Sequence, residues 1–332
     1  MTFRQPAFEP AGEPEAELGY MPAPIPAIGP ELASLPGRDP ALNGAPPQAF
    51  QQLDVSIEND GSIYWAFMRP HGRACFTPEL LSEIRLLERT IQQEYHKRQR
   101  AGEPPLKYVA FGSRASGVFN AGGDLALFCE CIRTKDRERL QRYADLCVDV
   151  VNEAATSFDL PVITVALVQG DALGGGFEAA MACNLIIAEK SAKFGLPEVL
   201  FNLFPGMGAY NFLSRRLDSA RAERIILSGR VYSAEEMHAM GVVDMVVEDG
   251  AGEQALREYV QRNLRRQPAE RAIYWARQLV NPVRLSDLRA LAKLWVETAL
   301  ELPEADLRRM TRLAAAQDRR RLLASVPASV AA

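Results

Sequence analysis

A continuous apolar run that opens directly into a cluster of glycines constrains this chain more than any other feature. Residues 161–168 read Pro-Val-Ile-Thr-Val-Ala-Leu-Val, which is typical of a strand buried on both faces. Residues 170–178 then read Gly-Asp-Ala-Leu-Gly-Gly-Gly-Phe-Glu, and three consecutive glycines weaken a helix unless the backbone needs them. A helix that starts at such a turn directs its free amides and its positive dipole end at one point. The turn therefore suits an anion, or a carbonyl oxygen that gains negative charge.

A second glycine turn lies earlier in the chain. Residues 118–125 read Val-Phe-Asn-Ala-Gly-Gly-Asp-Leu, and they follow a predicted strand and precede a predicted helix. Two such turns can direct two backbone amides at one oxygen, which is how an oxyanion hole is built. Each turn by itself is better explained by ordinary close packing of glycine, so the prediction depends on the pair.

Two glutamates in apolar segments are the candidate acid–base groups. Glu178 ends the first glycine segment, and Glu198 ends the sequence Phe-Gly-Leu-Pro-Glu at 194–198. A predicted helix, a strand at 185–188 and a turn connect them, and this path can bring both side chains face to face. Apolar burial raises a carboxyl pKa, and like charges separate two pKa values, so the pair would supply one acid and one base near neutral pH. The sequence leaves open which glutamate is the acid.

Apolar periodicity predicts strands and helices that alternate along the middle of the chain. The predicted strands are residues 62–68, 108–111, 161–168 and 185–188, and the predicted helices are residues 80–100 and 136–156. Thr77 and Pro78 supply an N-cap and a first-turn proline for the first of these helices. Alternation of this kind indicates an α/β layered core.

The two ends of the chain differ from this core in composition. Residues 1–50 hold half of the 22 prolines and six acidic against two basic residues, which predicts a disordered extension. Residues 51–250 form the predicted α/β core, and residues 251–332 are predicted to be mainly helical. Residues 257–321 carry 15 basic against eight acidic residues, which fits solvated helix faces or, in a sharper interpretation, a surface for an acidic partner.

Composition and missing motifs exclude several functional classes. A formal net charge of −4 argues against binding of nucleic acid, and no apolar run reaches the ~20 residues of a membrane span. The N-terminus shows no secretory signal, so we expect a cytoplasmic protein. The five cysteines and three histidines form no recognisable disulfide framework, metal site or catalytic triad. No P-loop is present, and Gly206-Met-Gly208 is assigned to a turn because it lacks the rest of a dinucleotide-binding motif.

The order and spacing of four segments resemble the crotonase (enoyl-CoA hydratase/isomerase) superfamily from about residue 55 onward. These segments are Phe-Asn-Ala-Gly-Gly-Asp at 119–124, Ala-Leu-Gly-Gly-Gly-Phe-Glu at 172–178, Phe-Gly-Leu-Pro-Glu at 194–198 and Leu-Ser-Gly-Arg-Val-Tyr-Ser-Ala-Glu at 227–235. The resemblance implies an α/β fold, a crotonase-like spiral of ββα units with a helical C-terminal cap or trimerisation region. It implies that Gly123 and Gly175 donate the oxyanion-hole amides to a thioester carbonyl and that Glu178 and Glu198 are catalytic. It implies no metal and no cofactor, since the acyl group arrives on acyl carrier protein (ACP) phosphopantetheine or on coenzyme A.

Within the superfamily, the chain is most similar to the diffusible-signal-factor synthases. The segments that carry this similarity are residues 72–76, 122–128, 168–180, 195–201 and 204–210. The resemblance implies dehydration of a 3-hydroxyacyl chain on ACP to a cis-2-enoyl thioester. Hydrolysis by the same site would then release a fatty acid used in quorum sensing. Ala121, where a bulkier residue is expected, and the proline-rich extension depart from the pattern.

The resemblance also implies partners and leaves two other functions open. Expected partners are the acyl carrier protein or acyl-CoA, a cognate sensor histidine kinase and further copies of the chain in a homotrimer or hexamer. Met207 and Trp295 are candidates for the acyl pocket and equally for ordinary core or subunit contacts. One alternative is a catabolic enoyl-CoA hydratase. The other is a non-catalytic protein that binds acyl thioesters or a sensor kinase, and the presence of both glutamates argues against it.

Overall fold

Two sheets and a set of surrounding helices make up the part of the chain that the computed structural model describes. That part is residues 50–324, without the side chains of residue 314 and residues 316–324. The strands are β1 Leu53–Ile57, β2 Ile63–Met68, β3 Tyr108–Ser113, β4 Val118–Asn120, β5 Ile163–Val168, β6 Asp171–Leu173, β7 Leu185–Glu189, β8 Lys193–Gly195, β9 Val231–Ser233 and β10 Met245–Val247. The helices are α1 Pro78–Ala101, α2 Leu125–Thr134, α3 Arg137–Ala155, α4 Gly175–Ala182, α5 Ala209–Arg216, α6 Ser219–Ser228, α7 Ala234–Ala239, α8 Gly252–Asn263, α9 Gln267–Val280, α10 Leu285–Leu300 and α11 Glu304–Ala324.

Successive ββα units build the two sheets side by side. In the units that begin with β3, β5 and β7, the first strand joins a large sheet and the second joins a small one. The large sheet has the order β1-β2-β3-β5-β7-β10 and is parallel except for the β1–β2 pair. The small sheet has the order β4-β6-β8-β9 and is parallel except for the β8–β9 pair. The predicted α/β spiral of ββα units with C-terminal helices is confirmed.

Strong local signals explain why the long elements lie where the sequence predicts them. The Thr77 hydroxyl accepts a hydrogen bond from the Leu80 amide at 3.2 Å, Pro78 begins α1, and Gly102 ends it with a left-handed φ of 68°. Strand β5 is buried along its whole length because parallel neighbours flank both of its edges and other elements cover its faces. The predicted strands and helices overlap β2, β3, β5, β7, α1 and α3.

The three-residue strands of the small sheet are what the sequence analysis missed. The sequence predicts a glycine turn at residues 171–173, but they form β6, which pairs with β4 on one side and β8 on the other. Strands this short contain barely one alternation of side chains, so they leave no periodic signal. They matter because they hold the ends of three ββα units together.

The C-terminal helices pack on different faces of the core. Leu256 and Val260 of α8 belong to a hydrophobic cluster on one face of the large sheet. Helix α10 packs against α3, and α11 packs against α2 and against a short 3₁₀ helix at Pro197–Phe201. No helix in residues 50–324 is long and apolar enough to cross a bilayer. The predicted disordered extension lies outside the described residues, apart from residue 50.

Candidate active site

The candidate site lies where three neighbouring strands of the small sheet end. Strand β4 leads into Gly122-Gly123, β6 leads into Gly174-Gly175, and β8 leads into the turn that carries Glu198. Asn120 pairs with Ala172, and Leu173 pairs with Gly195, so the three ends are in register. Parallel strands present their carboxyl ends at one edge, which is the usual place for a ligand in a parallel α/β sheet. The three predicted motifs therefore converge because of the sheet, although they are far apart in sequence.

The two predicted oxyanion-hole glycines face each other across this edge. A methyl group added to Gly175 would lie 3.6 Å from the amide nitrogen of Gly123 and 3.5 Å from Cα of Gly122. Among the described residues, neither the Gly123 amide nor the Gly175 amide donates a hydrogen bond to a protein acceptor. Gly175 is the first residue of α4, so its amide is one of the free donors of a helix start. The geometry brings both amides to one place, as an oxyanion hole requires.

The carboxyl group of Glu178 is held by the start of a different helix. Glu178 is 1% exposed, and its Oε1 accepts hydrogen bonds from the amides of Met207 at 2.7 Å and Ala209 at 2.8 Å. Burial raises the pKa of this carboxyl to about 7, although the amides of Ala209, Met207 and Gly208 act in the opposite direction. These donors favour the ionised form. Glu178 is therefore poised to change its charge near neutral pH.

Glu198 has no such support. It lies in the 3₁₀ helix Pro197–Phe201, and its Oε2 is buried without a hydrogen-bond partner in the described chain. A methyl group on Gly174 would lie 2.6 Å from its Oε1, so the carboxyl lies against the same glycine turn that begins α4. Burial, and next the charge of Glu178, raise the pKa of Glu198 well above its usual value. The two carboxyls therefore interact, and the backbone amides favour the ionised form of Glu178 but give no such support to Glu198.

All six predicted site residues line one cavity. Its volume is about 60 Å³. The cavity is lined by Ala121, Gly123, Leu125, Phe128, Gly174, Gly175, Glu178, Pro197, Glu198, Phe201, Leu203, Gly206, Met207, Trp295 and Leu313. Most of these side chains are apolar, while the polar groups are the two carboxyls and the backbone amides. Such a cavity strengthens the electrostatic interactions of any oxygen that enters it.

Met207 and Trp295 are both part of the apolar wall. A methyl group on Gly175 would lie 2.4 Å from Met207 Sδ, so that side chain packs directly on the oxyanion-hole turn. Trp295 of α10 packs edge-on against Phe128 of α2, with ring centroids 4.8 Å apart. The predicted placement of both residues beside the catalytic groups agrees with the geometry, and their role in binding an acyl chain stays a prediction.

The turn at residues 206–209 has a role that the sequence analysis missed. The sequence predicts only a turn here, but the backbone amides of this turn hold the Glu178 carboxyl. Gly208 has a φ of 109°, and this left-handed conformation lets consecutive amides point inward at the start of α5. A glycine just before an apparent helix was the available signal.

No histidine or cysteine is among the described residues that line the site cavity. His238 contacts the Val243 carbonyl at 2.9 Å, and His96 packs its ring against Tyr95. All five cysteines are free and buried. Within residues 50–324, no group of three or more potential ligands is placed to hold a metal ion.

A comparison with known families assigns the chain to a class. The family profile described as enoyl-CoA hydratase/isomerase matches residues 98–293, which is more than half of the chain and includes the whole glycine and glutamate constellation. The chain belongs to the enoyl-CoA hydratase/isomerase family.

Individual relatives and solved structures agree with this class. The chain is similar to mitochondrial methylglutaconyl-CoA hydratase of Mus musculus, with 29% identity over 58% of this chain and 56% of the relative. It is also similar to mitochondrial enoyl-CoA hydratase domain-containing protein 2 of Homo sapiens, with 36% identity over 54% of this chain and 56% of the relative. The chain thus spans about half the length of the curated relatives it matches.

Two solved structures share the fold. Enoyl-CoA hydratase of Bacillus halodurans superposes with a TM-score of 0.64 at 23% identity, over 79% of this chain and 100% of that one. DspI of Pseudomonas aeruginosa superposes with a TM-score of 0.56 at 23% identity, over 69% of this chain and 86% of that one.

Proposed function

We propose that this protein adds or removes water across the C2–C3 bond of an acyl thioester. The observation that carries the proposal is the convergence of Glu178, Glu198 and the amides of Gly123 and Gly175 on one cavity. Two free amides stabilise the charge that develops on the thioester oxygen, and this makes the C2 proton acidic. Two carboxyls of different proton affinity then move the protons.

The unequal surroundings of the two glutamates support an order of proton transfer for dehydration. Three backbone amides favour ionised Glu178, so it takes the C2 proton of a 3-hydroxyacyl thioester. Protonated Glu198 donates its proton as the C3–O bond breaks, and the hydroxyl leaves as water while the C2–C3 double bond forms. Glu178 is then protonated and Glu198 is ionised.

We propose further that the same groups hydrolyse the thioester, as in the diffusible-signal-factor synthases. Ionised Glu198 takes a proton from the water, the hydroxide attacks the thioester carbon, and the oxyanion hole holds the resulting oxyanion. Collapse of this intermediate breaks the C–S bond, and the departing thiol takes the proton from Glu178. Both glutamates return to their starting states, and a 2-unsaturated fatty acid leaves. Support for this second step comes from the similarity of residues 168–180, 195–201 and 204–210 to that group.

The names of the curated relatives favour a second candidate, a catabolic enoyl-CoA hydratase. Two of them are named as a hydratase or as a hydratase-domain protein. In that case the site performs only the water addition or its reverse on coenzyme A thioesters, and no C–S bond breaks.

Mass spectrometry of the products separates these candidates. The pure protein is incubated with 3-hydroxyacyl-ACP, 3-hydroxyacyl-CoA and trans-2-enoyl-CoA, and all products are identified. We expect a free 2-enoic acid from 3-hydroxyacyl-ACP. Interconversion of the CoA thioesters without free acid would establish the hydratase instead, and no turnover of any substrate would leave only a non-catalytic binding protein.

Replacement of each glutamate by glutamine tests the proposed acid and base. Glu178→Gln and Glu198→Gln each keep the side-chain size but cannot exchange a proton, so we expect each to lower kcat by roughly 100-fold or more. Glu88→Gln is the matched control, because Glu88 is also buried with a raised pKa but lies on α1 outside the site cavity. Wild-type turnover in both site variants would contradict the proposal.

We also propose that the protein works as a homotrimer or hexamer, with the substrate carrier and a sensor histidine kinase as further partners. The oligomer has one structural argument on its side: α9 exposes Ile273, Trp275, Leu279 and Val280 to solvent in the single chain. Apolar side chains grouped on one helix are typical of a protein–protein contact. No cofactor is needed for the proposed steps, since the acyl group arrives on its own carrier.

A further inference from the structure

Two arginines with unpaired buried nitrogens lie at the opposite end of α5 from the candidate active site. Arg215 is in the last turn of α5, and Arg277 is in the last turn of α9. Arg215 is six residues beyond Ala209, which holds Glu178, so about 9 Å of helix separates the two ends. The Nε atoms of Arg215 and Arg277 are both buried and have no hydrogen-bond partner among the described residues.

The neighbouring groups do not neutralise this pair. Arg216 is fully engaged with Asp244 and with the backbone oxygens of Cys183, Asn184 and Val242. Arg215 donates only to the neutral Gln278 side chain, at 2.8 Å. The guanidinium of Arg277 lies 5.0 Å from the ring centroid of Tyr274.

Asp244 pairs with Arg216 and also acts on Arg277, but among the described residues no carboxylate is found to offset the charge of Arg215. Burial, followed by the charges of Arg277 and Arg216, lowers the pKa of Arg215 to about 10. Burial and the charge of Arg216 also lower the pKa of Arg277. Buried like charges are unfavourable unless an opposite charge reaches them. An anion beside these guanidinium groups would relieve the repulsion.

A third unpaired atom indicates which anion fits. Asn211 lies one turn before Arg215 on α5, so the two side chains occupy the same helix face. The Asn211 Oδ1 is buried, and it too lacks a partner in the described chain. This oxygen can only accept a hydrogen bond, so it needs a donor. A phosphate that retains one proton offers acceptor oxygens to the arginines and a hydroxyl donor to Asn211, whereas sulfate offers acceptors only.

We propose that Arg215, Arg277 and Asn211 form a second ligand site that binds a phosphate group retaining one proton. The planar guanidinium suits this role because it donates two parallel hydrogen bonds to a phosphate. Free phosphate and a phosphate monoester share the recognised chemistry. The site is separate from the cavity of Glu178 and Glu198, so its existence does not depend on the proposed reaction.

Titration calorimetry with inorganic phosphate, glycerol phosphate and sulfate, at constant ionic strength set by sodium chloride, tests the site. We expect wild-type protein to bind inorganic phosphate or the monoester in the millimolar range or tighter, and to bind sulfate more weakly. The stronger of the two phosphate ligands identifies the source. Arg215→Gln and Arg277→Gln should each weaken phosphate binding by about tenfold, and Asn211→Ala should remove the preference over sulfate. Arg224→Gln, which changes an exposed arginine on α6, is the matched control and should bind as the wild type does.

Three results would overturn the proposal. One is the absence of phosphate binding to the wild-type protein at about 10 mM. The second is equal phosphate binding by Arg277→Gln and the wild type. The third is a combination of two findings: the wild-type protein binds no phosphate, and Arg277→Gln has a lower oligomer mass than the wild type. The arginine cluster would then be a contact for a carboxylate of a partner subunit. Circular dichroism checks that each variant folds. If Arg277→Gln does not fold, Arg277→Lys, which retains the charge, is tested in its place.

Discussion

At the scale of single residues, the site depends on two chemically identical side chains in unequal surroundings. The sequence predicts that Glu178 and Glu198 meet, because both stand in apolar segments that follow strands. It does not predict which carboxyl ionises first, because that depends on the amides of Met207 and Ala209, 29 and 31 residues away from Glu178. Gly208, in a left-handed conformation, lies between these two amides. Long-range hydrogen bonds of this kind leave no periodic signal in a sequence.

Burial of Glu178 predicts a pH-dependent loss of stability. Its pKa is raised to about 7 in the folded protein from an ordinary value of 4.5, so the folded state binds more protons than the unfolded state between these values. Stability therefore falls as pH rises through this window, by about 3 kcal/mol at ~1.36 kcal/mol per pKa unit. Glu178→Gln should remove the part of this pH dependence that Glu178 contributes, while Glu198 and Glu88, whose pKa values are also raised by burial, keep their own contributions. Urea unfolding of both proteins at pH 5 and pH 8 measures it.

The matched control for this prediction is Glu235→Gln, which changes an exposed glutamate on α7. Its free energy of unfolding should follow the wild type at both pH values. Equal pH dependence of Glu178→Gln and the wild type would show that the Glu178 carboxyl is not buried in the way described.

At the scale of elements, the site is produced by three strands of only three residues each. The sequence predicts the glycine turns and the glutamate turn separately, and the family resemblance implies that these turns belong to one active site. The structural reason for their convergence is the parallel pairing of β4, β6 and β8, which aligns their carboxyl ends. Strands this short escape prediction from periodicity, whereas β5 and α1 are recognised because each shows several repeats of its pattern.

Gly174→Ala tests whether the turn between β6 and α4 positions Glu198. Gly174 has a φ of 52°, and an added methyl group would lie 2.6 Å from Glu198 Oε1. We expect a loss of about 1–2 kcal/mol in the free energy of unfolding from backbone strain. We also expect kcat to fall by roughly tenfold or more, because a displacement of about 1 Å at a catalytic group is costly.

Gly241→Ala separates strain from displacement. Gly241 has a φ of 84°, but an added methyl group there would meet no atom within 4 Å. This variant should lose a similar amount of stability and keep the wild-type kcat. The same kcat in both alanine variants would show that Glu198 does not depend on the glycine turn for its position.

At the scale of the whole molecule, the C-terminal helices connect the site to a charged surface. The sequence predicts their helical character and their excess of arginine, but amphipathic patterns cannot show which helix covers which part of the core. The structure places Leu313 of α11 in the wall of the site cavity. The same helix exposes Arg308, Arg309 and Arg312, called here the α11 arginines. One helix thus contributes both to the cavity and to a basic outer surface, which suits an acidic substrate carrier.

Charge reversal of the α11 arginines to glutamate should weaken recognition of an acidic carrier protein without changing the chemistry. We expect KM for 3-hydroxyacyl-ACP to rise by about tenfold or more, with kcat unchanged, because surface charges mainly affect encounter and docking. KM for the same acyl group on pantetheine, which carries no phosphate or protein, should stay the same. A matched triple reversal of Arg262, Arg265 and Arg266, which are exposed at the end of α8 and beyond it, controls for net charge. Helix α8 packs through Leu256 and Val260 on a hydrophobic cluster that contains none of the cavity residues, so its arginines lie away from the site. An equal rise in KM for the two triple reversals would therefore be an effect of overall charge and would contradict a docking surface on α11.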